Sequence, residues 1–304
     1  MPKTVILLAL YNGADHLPAQ IDSFLAQQET DWMLIVSDDG SNDAGPSIVR
    51  DYARKQPVGR ITLIDGPRAG AAANFLHLLA HVPDDVPYAC FSDQDDVWLP
   101  HKLTRALGAL TAAPTDLPVV YCSSTLITDA DLQHPRLSPT PAKLPSFRNA
   151  LVQNIVAGNT AVVNPAALRI LKQAQSGARA VVMHDWWIYQ MVTGAGGQVI
   201  WDQEPGLYYR QHPNNVVGSN DSNGALLRRF TLALQGSYRD WNDRNVDALL
   251  AAQHLLTPQN RDLLHRFIRA RASWLPRRLW LLWQTGVYRQ RQIGLWFAAI
   301  IGRV

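Results

Sequence analysis

Tyr88-Ala89-Cys90-Phe91-Ser92-Asp93-Gln94-Asp95-Asp96-Val97-Trp98-Leu99-Pro100 is the stretch whose reading sets the architecture. Its first four residues form an apolar run of buried-strand length. The run ends abruptly in three carboxylates, Asp93, Asp95 and Asp96, after which Trp98 and Pro100 read as the opening of a helix. In a strand's alternation Asp93 and Asp95 share a face, an arrangement that can hold one hard divalent cation. That much negative charge gathered without a cation is costly at low dielectric. A solvated acidic loop with Asp96 as a helix cap is the competing reading of the same residues.

Upstream the same grammar repeats. Thr4 to Leu10 is a continuous aliphatic strand, Tyr11-Asn12-Gly13 a turn, and His16 to Gln28 an amphipathic helix with Leu17, Ile21, Phe24 and Leu25 on one face. The strand Trp32 to Val36 again ends in acid, Ser37-Asp38-Asp39-Gly40-Ser41. Helix Pro46 to Lys55, strand Arg60 to Ile64, a Gly-Pro-Arg-Ala-Gly turn and helix Ala72 to His81 lead to the Tyr88 strand. Strands alternating with helices predict an α/β, doubly wound, mostly parallel sheet, in which ligands sit beyond the carboxyl ends of the strands. Asp38, Asp39 and the Asp93–Asp96 group converge there. An isolated Asp-Asp-Gly-Ser is a common turn, but two acidic strand ends in one array favour a site. No Gly-x-Gly-x-x-Gly follows the first strand and there is no Walker loop, so a metal is the remaining means of neutralising a diphosphate.

The 304 residues are 47% hydrophobic and 17% charged, enough for one large core or a core with an appendage. The net charge of +3 hides an asymmetry: residues 1–224 carry 15 basic and 21 acidic side chains, residues 225–304 carry 13 and 4. All thirteen of those later cations are Arg, interleaved with five of the ten Trp, which suits an anionic membrane surface or nucleic acid. The acidic balance of residues 1–224 argues against nucleic acid. Cys90 and Cys122 each lie in a strand-like run and are expected to be buried, reduced thiols, which favours the cytoplasm. Val5 to Leu10 is too short for a secretory signal, and no segment has the length of apolar residues that a bilayer span requires.

Val36-Ser37-Asp38-Asp39-Gly40-Ser41, followed by Phe91-Ser92-Asp93-Gln94-Asp95-Asp96-Val97-Trp98-Leu99-Pro100-His101-Lys102-Leu103, resembles glycosyltransferase family 2, the inverting enzymes with the GT-A fold. The likeness spans about residues 1–220 and is greatest to bacterial members of O-antigen, capsule and exopolysaccharide synthesis, often rhamnosyltransferases. The resemblance implies that Asp38, with Asp39 beside it, contacts the nucleotide. It implies that Asp93 and Asp95 form the Asp-x-Asp that binds Mg²⁺ or Mn²⁺, and that Asp96 supports the site or touches the donor sugar. Asn74 falls where the family often has an Arg-Asn pair; Ala73 replaces the Arg, and Arg68 is a candidate to compensate.

Beyond strand Val119 to Ile127 and a Pro-rich loop, Asn154-Ile155-Val156-Ala157-Gly158-Asn159-Thr160 resembles the flexible glycine loop beside the donor, which assigns Gly158 to nucleotide-sugar binding. An ordinary hairpin glycine reads equally well there. His184-Asp185-Trp186-Trp187 precedes a helical run. Asp185 is either an N-cap or, by the resemblance, the base that takes the acceptor hydroxyl's proton. Trp186 and Trp187 are acceptor-stacking platforms or core aromatics, one of each being expected. In Tyr208-Tyr209-Arg210-Gln211-His212 the resemblance gives His212 to the metal or diphosphate and Arg210 to the donor.

The expected protein is therefore a GT-A catalytic domain over residues 1–224 with a basic, Trp-rich helical extension over 225–304. Its expected activity is inverting, metal-dependent transfer from a nucleotide diphosphate sugar, dTDP-L-rhamnose by analogy, to a hydroxyl of a lipid-linked or cell-surface glycan. The expected location is the inner face of the plasma membrane, reached through the last thirty residues, while residues 225–265 can equally cap the sheet. A catalytically silent glycan- or membrane-binding module of the same fold is the alternative.

Overall fold

Aliphatic runs without polar alternation require a sheet covered on both faces, and that is what the chain builds. A computed structural model describes residues 3–178, 181–211 and 237–290. Among them, β1 (Thr4–Leu10) is flanked by two parallel partners, β2 (Trp32–Asp38) and β4 (Tyr88–Ser92), and β3 (Ile61–Asp65) pairs with β2. On the other side β6 (Val119–Ser123) and β10 (Gln198–Asp202) run parallel, joined to β4 by the short antiparallel β9 (Val162–Val163). The sheet order is β10-β6-β9-β4-β1-β2-β3. A smaller sheet, β5-β11-β7-β8, comprises Val97–Trp98, Leu207–Arg210, Leu126–Thr128 and Arg136–Leu137.

Alternate residues of β1 enter two cores. Ile6, Leu8 and Leu10 pack with Leu17, Ile21 and Phe24 of α1 (Leu17–Leu25), Val49 of α2 (Gly45–Arg54) and Leu103 of α4 (Lys102–Ala112). Val5 and Leu7 share the opposite core with Phe75 of α3 (Ala71–Ala80), Leu171 of α6 (Pro165–Ala174) and Met191 of α7 (His184–Gly194). A single turn, α5 (Phe147–Ala150), packs against α7. The same core takes Leu249 of α8 (Ser237–Ala251), Leu264 and Phe267 of α9 (Pro258–Arg271) and Leu282 of α10 (Leu275–Thr285). The described part of the basic extension is thus helical and packed on one face of the sheet. Thr257 caps α9 by accepting from Asn260 N at 3.2 Å, and Gly286, at φ +66°, ends α10 in the left-handed conformation that glycine tolerates.

Three local expectations change. Trp98 does not open a helix: it lies in β5, opposite Leu207, and α4 begins at Lys102. The expected strand Val119 to Ile127 breaks into β6 and β7, which belong to different sheets. Leu25 is 38% exposed, because it sits one residue off the Leu17-Ile21-Phe24 face where the helix ends. Cys90 and Cys122 are buried, free thiols, and burial pushes Cys90 up to about 12.

Candidate active site

Register places the acids. In the parallel ladders Leu10 is opposite Asp38 and Leu8 opposite Ser92, so Asp38 and Asp93 leave the sheet at the same edge, on either side of β1. A buried polar stripe along α1 and the turn that follows it anchors the chain as it leaves β4. Gln20 Nε2 donates to Ser92 Oγ at 2.8 Å, Ser23 Oγ accepts from Trp98 N at 3.0 Å, and Gln27 bonds both Leu99 O (2.9 Å) and Leu103 N (3.1 Å). Gln94 then clamps the exit of β1, accepting from Tyr11 N at 2.8 Å and donating to Tyr11 O at 3.0 Å. Gly13 is required beneath it, since a Cβ there would stand 2.4 Å from Gln94 Oε1.

β4 ends at Ser92, so Asp93 and Asp95 lie in a bend, and their proximity comes from that bend instead of from strand alternation. Burial, then the charges of Asp95 and Asp185, lifts Asp93 to about 7. Asp96 is fully buried and held well above the usual carboxylate range by burial, then by Asp95 and Asp93. Its carboxylate accepts from Asn159 Nδ2 at 2.6 Å and Arg210 N at 3.4 Å. Lys102, 1% exposed, is the buried counter-charge: its Nζ donates to Asn159 O and lies 3.4 Å from the centre of the Trp98 ring. Burial pulls Lys102 down to about 7 against the neighbouring Asp96 and Asp93.

The third acid enters from α7. Asp185, in the helix's first turn, accepts from Gly158 N at 3.2 Å, from Trp186 N at 2.7 Å and from the Asn154 side chain. Burial nevertheless lifts it to about 6, which leaves a carboxylate that is ionised yet basic near neutral pH. Next to it the His184 ring stacks on Phe75 with centroids 3.7 Å apart, and burial lowers its pKa to about 3. Burial thus favours the neutral imidazole at His184. A Cβ on Gly158 would lie 2.5 Å from His184 Nε2, so this position needs glycine for close packing in the 3₁₀ turn Gly158–Thr160.

Several assigned side chains have other employment. Asp38 keeps a partly exposed carboxylate with Oδ1 accepting from Ser41 N at 3.0 Å, but Asp39 is turned inward, its oxygens accepting from Gly70 N (2.7 Å) and Ala69 N (3.3 Å) ahead of α3. Asn74 is 1% exposed and donates to Ser37 O at 2.8 Å, so it braces the Asp38 strand from behind. The Arg210 guanidinium donates to Asp95 O at 2.9 Å and to Ala130 O, cross-linking β11 to the acidic bend. Arg68, at φ +57°, lies along Gly40 beside Asp38. Trp186 and Trp187 are 3% and 0% exposed, and Trp186 Nε1 donates to Ala150 O at 2.7 Å; both are core aromatics, because α7 is covered on every side. Asp202 is held by Arg105 (2.8 and 2.9 Å) and by Tyr121 OH (2.7 Å), which leaves Asp185 as the acid facing Asp93. His212 lies outside the described residues.

Sequence reading missed Gln94, Asn154, Asn159 and Lys102. All four stood inside quoted motifs, but nothing in their spacing reports burial or partner. Among the described residues no three His, Cys, Asp or Glu side chains stand in metal-holding geometry. Asp93 and Asp95, close enough for the charge of Asp95 to raise Asp93, are hard oxygen donors in the number of carboxylates that Mg²⁺ commonly takes from a protein.

The profile of Glycosyl transferase family 2 matches residues 5–169. The chain is 26% identical over 290 residues, 89% of its length and 94% of the relative's, to the dTDP-rhamnosyl transferase RfbG of Shigella flexneri. Its fold is similar to that of S. aureus TarS 1–349 in complex with UDP-GlcNAc (TM-score 0.55, 14% identity, covering 94% of this chain and 93% of that one). It is also similar to the mannosyltransferase PcManGT of Pyrobaculum calidifontis in complex with GDP-Man and Mn²⁺ (TM-score 0.52, 18% identity, covering 99% and 86%). The mostly parallel sheet between helical layers, with helices at the C-terminal end, is the GT-A architecture.

Proposed function

The chain belongs to glycosyl transferase family 2, and from that premise we propose that this glycosyltransferase moves a sugar, with inversion, from a nucleoside diphosphate donor to a hydroxyl of a lipid-linked or growing cell-surface glycan. The observation that carries this reading is the meeting of Asp93, Asp95 and the independently supplied Asp185 at the edge of the sheet where Asp38 also emerges. Similarity to a dTDP-rhamnosyl transferase along nearly the whole of both chains supports dTDP-L-rhamnose as the donor.

Asp38 is assigned to the base or ribose, and Asp93 with Asp95 would hold Mg²⁺ or Mn²⁺. A bound cation supplies positive charge for the departing diphosphate. Asp185 takes the proton of the acceptor hydroxyl as that oxygen bonds to the anomeric carbon; the bond to the diphosphate breaks on the opposite face, and its electron pair leaves with the diphosphate. Gly158 N and Asn154 hold the carboxylate in place for this step. Among the described residues no helix is long and apolar enough to cross a membrane. We assign the enzyme to the inner face of the plasma membrane, held there by its Arg- and Trp-rich extension.

Thermal melting with a panel of nucleotide sugars, with and without Mn²⁺ or Mg²⁺, tests the donor. A ligand at 100 times its Kd adds about 2.7 kcal/mol of stability. dTDP-L-rhamnose is expected to give the largest shift. A larger shift from another nucleotide sugar reassigns the donor, and no shift or hydrolysis with any of them leaves a silent binding module.

A further inference from the structure

The packing of α10 leaves its largest apolar side chains outside. Leu282 and Thr285 are 1% and 2% exposed and face the core, whereas Trp280 and Trp283 on the opposite face are 54% and 69% exposed, and Trp274, at the N-cap, is 68% exposed. The other described Trp residues are all buried or partly buried. Two indoles exposed one turn apart, with a third at the N-cap of the same helix, are uncommon on a surface that meets only water and mark an interaction site. Its charge is one-sided: residues 257–290 contain seven Arg and one acidic residue, Asp262, and Arg277, Arg261 and Arg269 are exposed.

We propose that the Trp280–Trp283 face of α10, with Trp274 and Arg277, docks on an anionic lipid bilayer. The inference rests on the reading that the acceptor is lipid-linked, and deepens it by naming the surface. Charge complementarity selects the occupant: Arg neutralises anionic headgroups while indole rings, apolar with one N–H donor, settle at the level of the headgroups. The helix lies on the membrane and does not span it.

The docking helix is also wired to the candidate site. Beyond Gly286 the chain turns back along residues 143–153: Arg148 Nε donates to Thr285 O (3.1 Å), Asn149 Nδ2 to Tyr288 O (2.9 Å), Arg289 Nε to Val152 O (2.9 Å) and Gln290 N to Gln153 Oε1 (2.8 Å). The next residue, Asn154, bonds Asp185. Docking would therefore fix the loop that positions the candidate base relative to the lipid from which the acceptor hydroxyl projects.

Sedimentation of the full chain with phosphatidylcholine vesicles, with or without phosphatidylglycerol, tests the surface. Binding is expected only with phosphatidylglycerol and is weakened by salt. Trp280→Ala and Trp283→Ala each lower the partition coefficient about tenfold, the loss of roughly half a buried aromatic side chain. Arg277→Gln lowers it about fivefold at low salt. All three substitutions are on exposed side chains, and melting temperature and donor hydrolysis without vesicles are expected to stay at wild-type levels. The proposal is overturned if wild type does not bind, if the Trp280→Ala/Trp283→Ala double variant binds like wild type, or if only Trp296→Ala, in residues 291–304, lowers binding. Conversion of a dimer to a monomer by the double variant, seen by light scattering, also overturns it by making a second copy the occupant. Vesicle binding that survives while no nucleotide sugar is bound or hydrolysed supports the surface and removes the catalytic reading instead.

Discussion

The backbone amide of Gly158 donates to Asp185 Oδ2 at 3.2 Å, joining two segments 27 residues apart and aiming a helix-borne carboxylate toward the acidic bend after β4. The contact exists because residue 158 has no side chain. Gly158→Ala would place a methyl 2.5 Å from His184 Nε2, and His184 is wedged against Phe75, so the ring and the adjoining Asp185 must shift. Overpacking of this kind costs about 1–3 kcal/mol. A shift of the base by about 1 Å lowers turnover about a hundredfold. Melting temperature and initial rates at saturating donor check both; a variant with wild-type turnover would separate Gly158 from the site.

Asp185→Asn retains the shape and one acceptor oxygen but removes the base, so turnover is expected to fall about 10²- to 10⁴-fold with donor affinity near wild type. The pH dependence has a definite sign. Burial raises Asp185 to about 6, so wild-type turnover climbs as pH rises through about 6, and at saturating Mn²⁺, which holds Asp93 ionised, the Asn variant lacks that limb. Stability moves the other way. Ionising a carboxyl whose folded pKa is raised costs about 3 kcal/mol, a penalty absent below about 4 and complete above about 6. Without ligands, the Asn variant should melt higher than wild type above pH 6 and converge with it in acid. His184, held near 3, does not contribute to this limb.

Lys102→Met removes the buried cation that serves Asp96 and Asp93. Breaking a buried charge pair on one side costs about 3–5 kcal/mol. Adding Asp96→Asn, which takes away the ionisable partner left behind, is expected to recover a large part of that loss. Denaturant unfolding of the four members of this cycle measures the coupling, and additive losses would show that Lys102 serves only to fill space over Trp98.

Asp95→Asn preserves size while discharging half of the proposed cation pair, and transfer is expected to fall by orders of magnitude with the fold intact. Chelation of wild type should give the same loss, reversed by Mn²⁺ or Mg²⁺. Full transfer in chelator would remove the metal from the mechanism.

The linear sequence carries the architecture because burial on both faces leaves a local mark. Thr4 to Leu10 and Tyr88 to Phe91 have to be central strands, since no other element hides such runs, and acids at their ends have to emerge where the sheet stops. The position of Asp38, Asp93 and Asp95 at the sheet's edge was legible for that reason, whereas Asp185, in the first turn of α7, was singled out by the family resemblance alone.

What only the tertiary structure decided is where each polar group spends its hydrogen bonds. Asp38 and Asp39 are adjacent and chemically identical, yet one faces the candidate site and the other caps α3 from inside. Asn74, Arg210 and Asp96 each spend hydrogen bonds on bracing the strands around the acidic bend, the supporting role that the sequence had offered for Asp96, while Lys102 and Asn159 gained importance by being buried together. Trp186 and Trp187 went into the core while Trp280 and Trp283 stayed outside, although all four occupy helices of mixed character. Residue type fixes what a side chain can bond to; whether water or protein meets that demand depends on neighbours dozens of residues away, brought close only when the sheet and its helical layers assemble.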